Sequence, residues 1–188
     1  DVADEAQVTV GVAEVLGQFG RLDALVCNAA IADPHNTTLE SLSLNHWNRV
    51  LAVNLGGPML LAKHCAPYLR AHCGAIVNLV STRAAQSEPD TEAYAASKGG
   101  IVTLTKIFAK EFAARGVTVN AIAPGPIDSP AVHAAVPAER LPGLLANIPV
   151  QRLGDAGFLG DLIVQLARPE AYFTTGATWD VNGGLFMR

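Results

Sequence analysis

An α/β fold built on a parallel sheet is the class this chain's pattern predicts, on three observations. Short, nearly continuous apolar runs alternate with amphipathic stretches of about ten or more residues, an alternation that implies parallel pairing through right-handed crossovers. The runs are apolar throughout rather than at every second position, as strands covered on both faces are. Asn28, Ser81 and Pro124-Gly125 close three of them, where open parallel sheets receive ligands beyond the carboxyl ends of their strands. The expected architecture is a doubly wound parallel sheet in a single domain over residues 1–188.

The elements follow in order. Val8, Val12, Val15, Leu16 and Phe19 recur at helical spacing from Ala6 to Phe19, and Gly20 ends that helix. Leu22 to Cys27 reads as a buried strand that hands over to Asn28-Ala29-Ala30. Leu39 to Val53 is amphipathic, Gly56-Gly57-Pro58 interrupts or restarts it, and a second helix runs to about Ala71. Gly74 opens the strand Ala75 to Val80, closed by Ser81-Thr82. A loop with Pro89 leads to the longest helix, about Thr91 to Ala114, stopped by Arg115-Gly116. Val117 to Ala123 is a strand ended by Pro124-Gly125-Pro126. Residues 130–150, rich in proline and alanine, fit a short-helix substrate lid. Asp155 to Ala167 is helical, and Thr178 to Val181 is a last strand before Asn182-Gly183-Gly184.

Composition excludes several function classes. Half of the 188 residues are hydrophobic, only 16% are charged and the net charge is −4. A large core is affordable and disorder is not indicated. Nucleic-acid binding has no basic footprint. No apolar run approaches the ~18 residues of a membrane span, and no signal peptide is read. Cys27, Cys65 and Cys73 are odd in number and lack metal-ligand pairing, so reduced thiols in the cytoplasm are expected. The histidines at 35, 46, 64, 72 and 133 show no ligand spacing, and no metal is expected.

The chemistry concentrates in Tyr94 and Lys98, four apart in the longest helix and so on one helical face. An ammonium beside a phenol favours the phenolate, so the tyrosine pKa is expected to fall from about 10. That makes a proton donor and acceptor usable near neutral pH. Ser81, thirteen positions before Tyr94 at the end of a strand, adds a hydroxyl. Arg83 and Glu88 lie between the serine and the tyrosine and either face substrate or pair with each other.

In this ordered set the chain resembles the short-chain dehydrogenase/reductase family. The matching elements are Asn28-Ala29-Ala30 after a strand, Asn54 in Val53-Asn54-Leu55, Ser81, Tyr94 with Lys98, Pro124-Gly125-Pro126-Ile127, and Asn182-Gly183-Gly184. They span nearly the whole length. Ala30 stands where the family usually has glycine. The resemblance implies a Rossmann-like fold and transfer of a hydride between NAD or NADP and a carbonyl or secondary alcohol. It makes Tyr94 the general acid/base, Ser81 the hydrogen-bond donor to the substrate oxygen, Lys98 the modulator of the phenol and holder of the nicotinamide ribose, and Asn54 the holder of a relay water. It places Asn28, Ala29, Ala30, Pro124, Gly125, Ile127 and Ser129 against the cofactor, and Asp1-Val2 at the adenine pocket. Arg83 joins Ser81 and Tyr94 on the substrate side. It also implies a homo-oligomer, tetramer or dimer, paired through helices around Leu60 and Leu104.

The family's glycine-rich turn, which receives the cofactor pyrophosphate, does not occur in this sequence. The sequence therefore reads as beginning after the family's third strand, with roughly 60 residues of strand–helix repeats unaccounted for. The remaining strands 4-5-6-7 are expected to be contiguous, with Leu22 to Val26 at an uncovered apolar edge, and this chain alone is expected to bind cofactor poorly and turn over little. Within the enzyme reading, a 3-oxoacyl thioester reductase and a sugar or polyol dehydrogenase both stand. Lys98 argues against a dehalogenase of this fold. A catalytically silent binding or regulatory protein is the remaining alternative.

Overall fold

The computed structural model describes residues 1–32, 38–69 and 74–187. His35, His72, Cys73 and the expected helix end at Ala71 lie outside the described residues. Four strands, β1 (Ala24–Cys27), β2 (Ala75–Leu79), β3 (Thr118–Pro124) and β4 (Thr178–Val181), form one sheet in the order β1-β2-β3-β4. Every pairing is parallel, as the expected contiguous half-sheet requires. β2 and β3 are central and almost wholly buried, with Val77, Val119, Ala121 and Ile122 at 0% exposure. Their β-branched runs fit the two-sided burial that parallel sheets impose.

Helices cover both faces. α1 (Glu5–Phe19), α3 (Gly57–Leu69) and α4 (Glu92–Ala113) share a core with β1, β2 and β3 that includes Leu25, Cys65, Leu69, Ile76, Phe112 and Val119. α7 (Ala156–Ala167) covers the other face through Leu159 and Leu166 against Val77 and Ile122. Asp4 caps α1 by accepting from Gln7 N, and Gly20 closes it in the left-handed region at φ 71°. Asp155 caps α7 through Gly157 N and Phe158 N.

The second helical segment departs from expectation at both ends. α2 begins at Leu44, capped by Ser43, rather than at Leu39. Gly56-Gly57-Pro58 does not interrupt it. α2 (Leu44–Leu51) passes through a π-helical turn, Ala52–Gly56, directly into α3. The cause is Pro58: it has no N–H to donate to Asn54 C=O, and its ring clashes with that carbonyl in a regular α-helix. Widening the turn by one residue relieves the clash without ending the helix. Gly57 is required at the junction, since a Cβ there would lie 2.8 Å from Val2 Cγ2.

Residues between β3 and α7 form an excursion with α5 (Pro130–Ala135) and α6 (Leu141–Ala146). Its stem is closed. Ile127 pairs with Gly154, Asp128 N donates to Gly154 O at 2.8 Å, and Gly154 N donates to Pro126 O at 2.9 Å.

Candidate active site

The site assembles at the carboxyl edge of the sheet. Ser81 follows β2, and its Oγ accepts from Arg83 N at 3.2 Å, capping a short 3-10 turn over Thr82–Ala84. The same hydroxyl lies close enough to the Tyr94 phenol to be the influence that most favours its phenolate. Tyr94 is half-buried in the first turns of α4. Lys98, one turn on, is 4% exposed and puts Nζ 5.6 Å from the Tyr94 ring centroid. A cleft of about 410 Å³ brings Tyr94 and Lys98 together with Asn28, Ala30, Pro124 and Ile127. Four sequence-separated segments thus meet at one sheet edge.

The electrostatics correct one expectation. The Tyr94 phenol lies above the ordinary tyrosine value because burial penalises the phenolate. The Ser81 hydroxyl and then the Arg83 charge oppose that without overcoming it. Lys98 is not what moves the phenol. Its amine donates to Leu79 O at 2.8 Å and lies 5.6 Å from the ring centroid. Burial instead pulls Lys98 down to about 8, with the Cys27 thiol opposing. No described carboxylate pairs with it.

Asn54 sits in the π-helical turn at 1% exposure with its side chain fully committed. Oδ1 accepts from Ile31 N at 2.7 Å, and Nδ2 donates to Ile31 O at 3.0 Å and to Ser97 Oγ at 3.1 Å. Arg83 pairs with Glu88, so of the two arrangements open for it the structure takes the ion pair. Gly125 packs against Asn182, where a Cβ would lie 3.0 Å from Asn182 Cα. Ser129 accepts from Val132 N as the cap of α5. Asp1 and Val2 are not brought to this cleft: they line a separate apolar groove with α1, β1 and α3, and Asp1 pairs with Arg49 at 2.9 Å. Ala29 is exposed on the turn between Asn28 and Ala30.

Two contributions escaped the sequence reading. α7 lends Ala156, Leu159, Gly160 and Ile163 to the cleft wall, which helical periodicity alone does not reveal. Ser97 is buried between Tyr94 and Lys98. Its signal was present, as a polar residue on the stripe Ala93, Ser97, Ile101, Thr105, Ala109, all buried.

A parallel sheet carrying a phenol, an amine and a hydroxyl at one edge has the layout of an oxidoreductase domain. Residues 1–186 match the family model described as Enoyl-(Acyl carrier protein) reductase. The chain is 38% identical over 188 residues to the 3-oxoacyl-[acyl-carrier-protein] reductase FabG of Staphylococcus aureus (strain Mu50), covering 100% of this chain and 75% of that protein. It is 38% identical over 185 residues to a cis-4-hydroxycyclohexanecarboxylate dehydrogenase of Sinomonas cyclohexanicum, covering 98% and 74%. It is 33% identical over 188 residues to the FabG of Salmonella typhimurium (strain LT2), covering 100% and 76%. The chain belongs to the short-chain dehydrogenase/reductase family of oxidoreductases. Among the described residues no helix is long and apolar enough to cross a membrane.

Proposed function

We propose that this protein interconverts a carbonyl and a secondary alcohol with NAD or NADP, using Tyr94 as general acid/base. The observation that carries the reading is the cleft in which the Tyr94 phenol, with Ser81 beside it, and the buried Lys98 amine meet. The fit to a dinucleotide rests on that amine: a buried cation without a carboxylate partner suits an anionic or hydroxyl-rich ligand. Asn28, Ala30, Pro124 and Ile127 would hold the nicotinamide end, with Lys98 on its ribose. Ala29, Gly125 and Ser129 shape the backbone around it. Asp1-Val2 would serve the adenine end, away from this cleft.

When bound, the cofactor supplies or accepts the hydride. Ser81 and Tyr94 hold the carbonyl oxygen, which gains negative charge as its carbon is reduced. The phenol gives that oxygen its proton, and in alcohol oxidation the phenolate takes it back. Because the Asn54 side chain is spent on Ile31 and Ser97, a relay water to Lys98 falls to the Asn54 backbone carbonyl, whose regular α-helical donor Pro58 removes. Residues 130–150, on their closed stem, form the substrate lid. The relatives act on a 3-oxoacyl thioester and on a hydroxylated ring acid, and both reactions are the carbonyl/alcohol couple proposed here. Met59, Tyr68 and Ile107, 40%, 43% and 50% exposed on α3 and α4, are the surface through which a homo-oligomer would pair; Leu104 packs inward against Val80 and Ala121.

The test is reduction of acetoacetyl-CoA and of 4-oxocyclohexanecarboxylate with NADH and NADPH, followed by loss of the reduced-nicotinamide absorbance. Turnover by this chain is expected to be slow, because its sequence carries no glycine-rich turn for the cofactor pyrophosphate, and Tyr94→Phe should lower that kcat by a further factor of roughly 10²–10⁴ with an unchanged circular dichroism spectrum. Equal rates for wild type and Tyr94→Phe would overturn the assignment.

A further inference from the structure

Ser97 has 0% exposure, and every hydrogen-bonding atom it carries is assigned. Its hydroxyl proton goes to Tyr94 O at 2.6 Å, and its oxygen accepts from Asn54 Nδ2 at 3.1 Å. Asn54 in turn grips both backbone groups of Ile31, at 2.7 and 3.0 Å. Four hydrogen bonds therefore run unbroken from the loop after β1, across the π-helical turn, to the backbone of the proposed acid. The tie joins the loop that follows Asn28 and Ala30 to the helical turn that carries Tyr94 and Lys98, and all four of those residues line the cleft.

The tie has one polarity. Ile31 N–H can only donate, which fixes Oδ1 toward it and sends both Nδ2 protons to acceptors. One acceptor must be Ser97 Oγ, so that oxygen's own proton points at Tyr94 O. The serine hydroxyl is thereby tied to the carbonyl of the residue that carries the phenol. Removing the hydroxyl leaves an Asn54 N–H without an acceptor in a dry interior, a cost greater than that of the bond itself.

We infer that Ser97 is a positioning residue: it sets the distance between the Asn28–Ile31 loop and the Tyr94 phenol through Asn54. The inference rests on the proposed function for its catalytic consequence, but the tie itself is a property of the cofactor-free chain. Misplacement of a reacting group by about 1 Å can cost roughly a hundredfold in rate.

The experiment compares Ser97→Ala with Thr105→Val in the full chain. Thr105 is also a buried hydroxyl on α4, bonding back to Ile101 O at 2.8 Å and accepting from Asn78 Nδ2 at 3.0 Å, away from the cleft. Ser97→Ala should raise hydrogen exchange at the Ile31 amide in the cofactor-free protein roughly tenfold. It should also lower kcat for acetoacetyl-CoA between roughly tenfold and a hundredfold, with a smaller change in KM. Thr105→Val should lower Tm while leaving both readouts alone. Ser97→Cys, closer in volume and a weak hydrogen-bond partner, should give the same direction if the alanine variant does not fold. Ile31 exchange and kcat within about twofold of wild type in a folded Ser97 variant would overturn the inference, as would a Tm loss alone, the pattern assigned to Thr105→Val. Retained turnover in Tyr94→Phe would sink the catalytic reading while leaving the exchange result standing.

Discussion

The Lys98 amine has little solvent, a backbone carbonyl and the Tyr94 ring for company. An unfolded lysine keeps its proton to about pH 10.4, whereas burial brings Lys98 down to about 8. Between those values the unfolded chain binds the extra proton, so Lys98 contributes a rise in unfolding free energy with pH. The Cys27 and Cys65 thiols, pushed up by burial to about 12 and about 11, act in the opposite sense over the same range. The Lys98 contribution is therefore read as a difference: the stability of wild type minus that of Lys98→Met should climb by about 2 kcal/mol from about pH 8 to about pH 10 in urea titrations. Parallel curves for the two proteins would contradict it. The raised Tyr94 phenol enters only above the ordinary tyrosine range near 10. For catalysis, a protonated phenol at neutral pH favours carbonyl reduction, and the alcohol-oxidising rate should rise with pH.

At the scale of elements, α4 is held to its surroundings by three polar ties on its buried face: Ser97 to Asn54, Lys98 to Leu79 O, and Thr105 to Asn78. Thr105→Val keeps the volume but leaves an Asn78 N–H without its acceptor, and should cost about 1–3 kcal/mol in denaturant unfolding. Gly125, directly after β3, is the counterpart on the sheet. A Cβ there would meet Asn182 Cα and Cβ at 3.0 Å, and backbone cannot step aside. Gly125→Ala should destabilise the β3–β4 junction, read as a lowered Tm. The strands and long helices were legible because their apolar runs and caps are local signals: β4 matches residue for residue, and α4 is one residue shorter at each end than expected. The π-helical turn was not legible, because Gly56-Gly57-Pro58 carries breaker residues whose effect is decided by packing against Val2 and by the Asn54 anchor. The direction of the phenol's shift was missed for a related reason. Spacing puts Lys98 beside Tyr94, but only the fold reveals that its amine turns to Leu79 O and that burial outweighs charge.

Across the whole molecule, the sheet has a buried middle and an open side. Among the described residues β1 pairs only with β2, and Val26 on it is 40% exposed. An unpaired apolar edge templates self-association, and a charge on it blocks that. Val26→Lys should lower the aggregated fraction of this chain in sedimentation velocity, and an unchanged fraction would show that the edge is not the contact. At the carboxyl edge of the sheet, chain segments far apart in sequence deliver Tyr94, Lys98 and the Asn28 turn to one cleft, with Ser81 beside the Tyr94 phenol, and the proposed oxidoreductase chemistry depends on that convergence. The most direct measurement of it is transfer of deuterium from reduced nicotinamide labelled at its hydride-donating carbon to the carbonyl carbon of acetoacetyl-CoA. The label should appear at the new carbinol carbon with wild type and be lost, to within about a hundredth of that yield per unit time, with Tyr94→Phe. Absence of label in the wild-type product, or equal labelling by both proteins, would contradict the account.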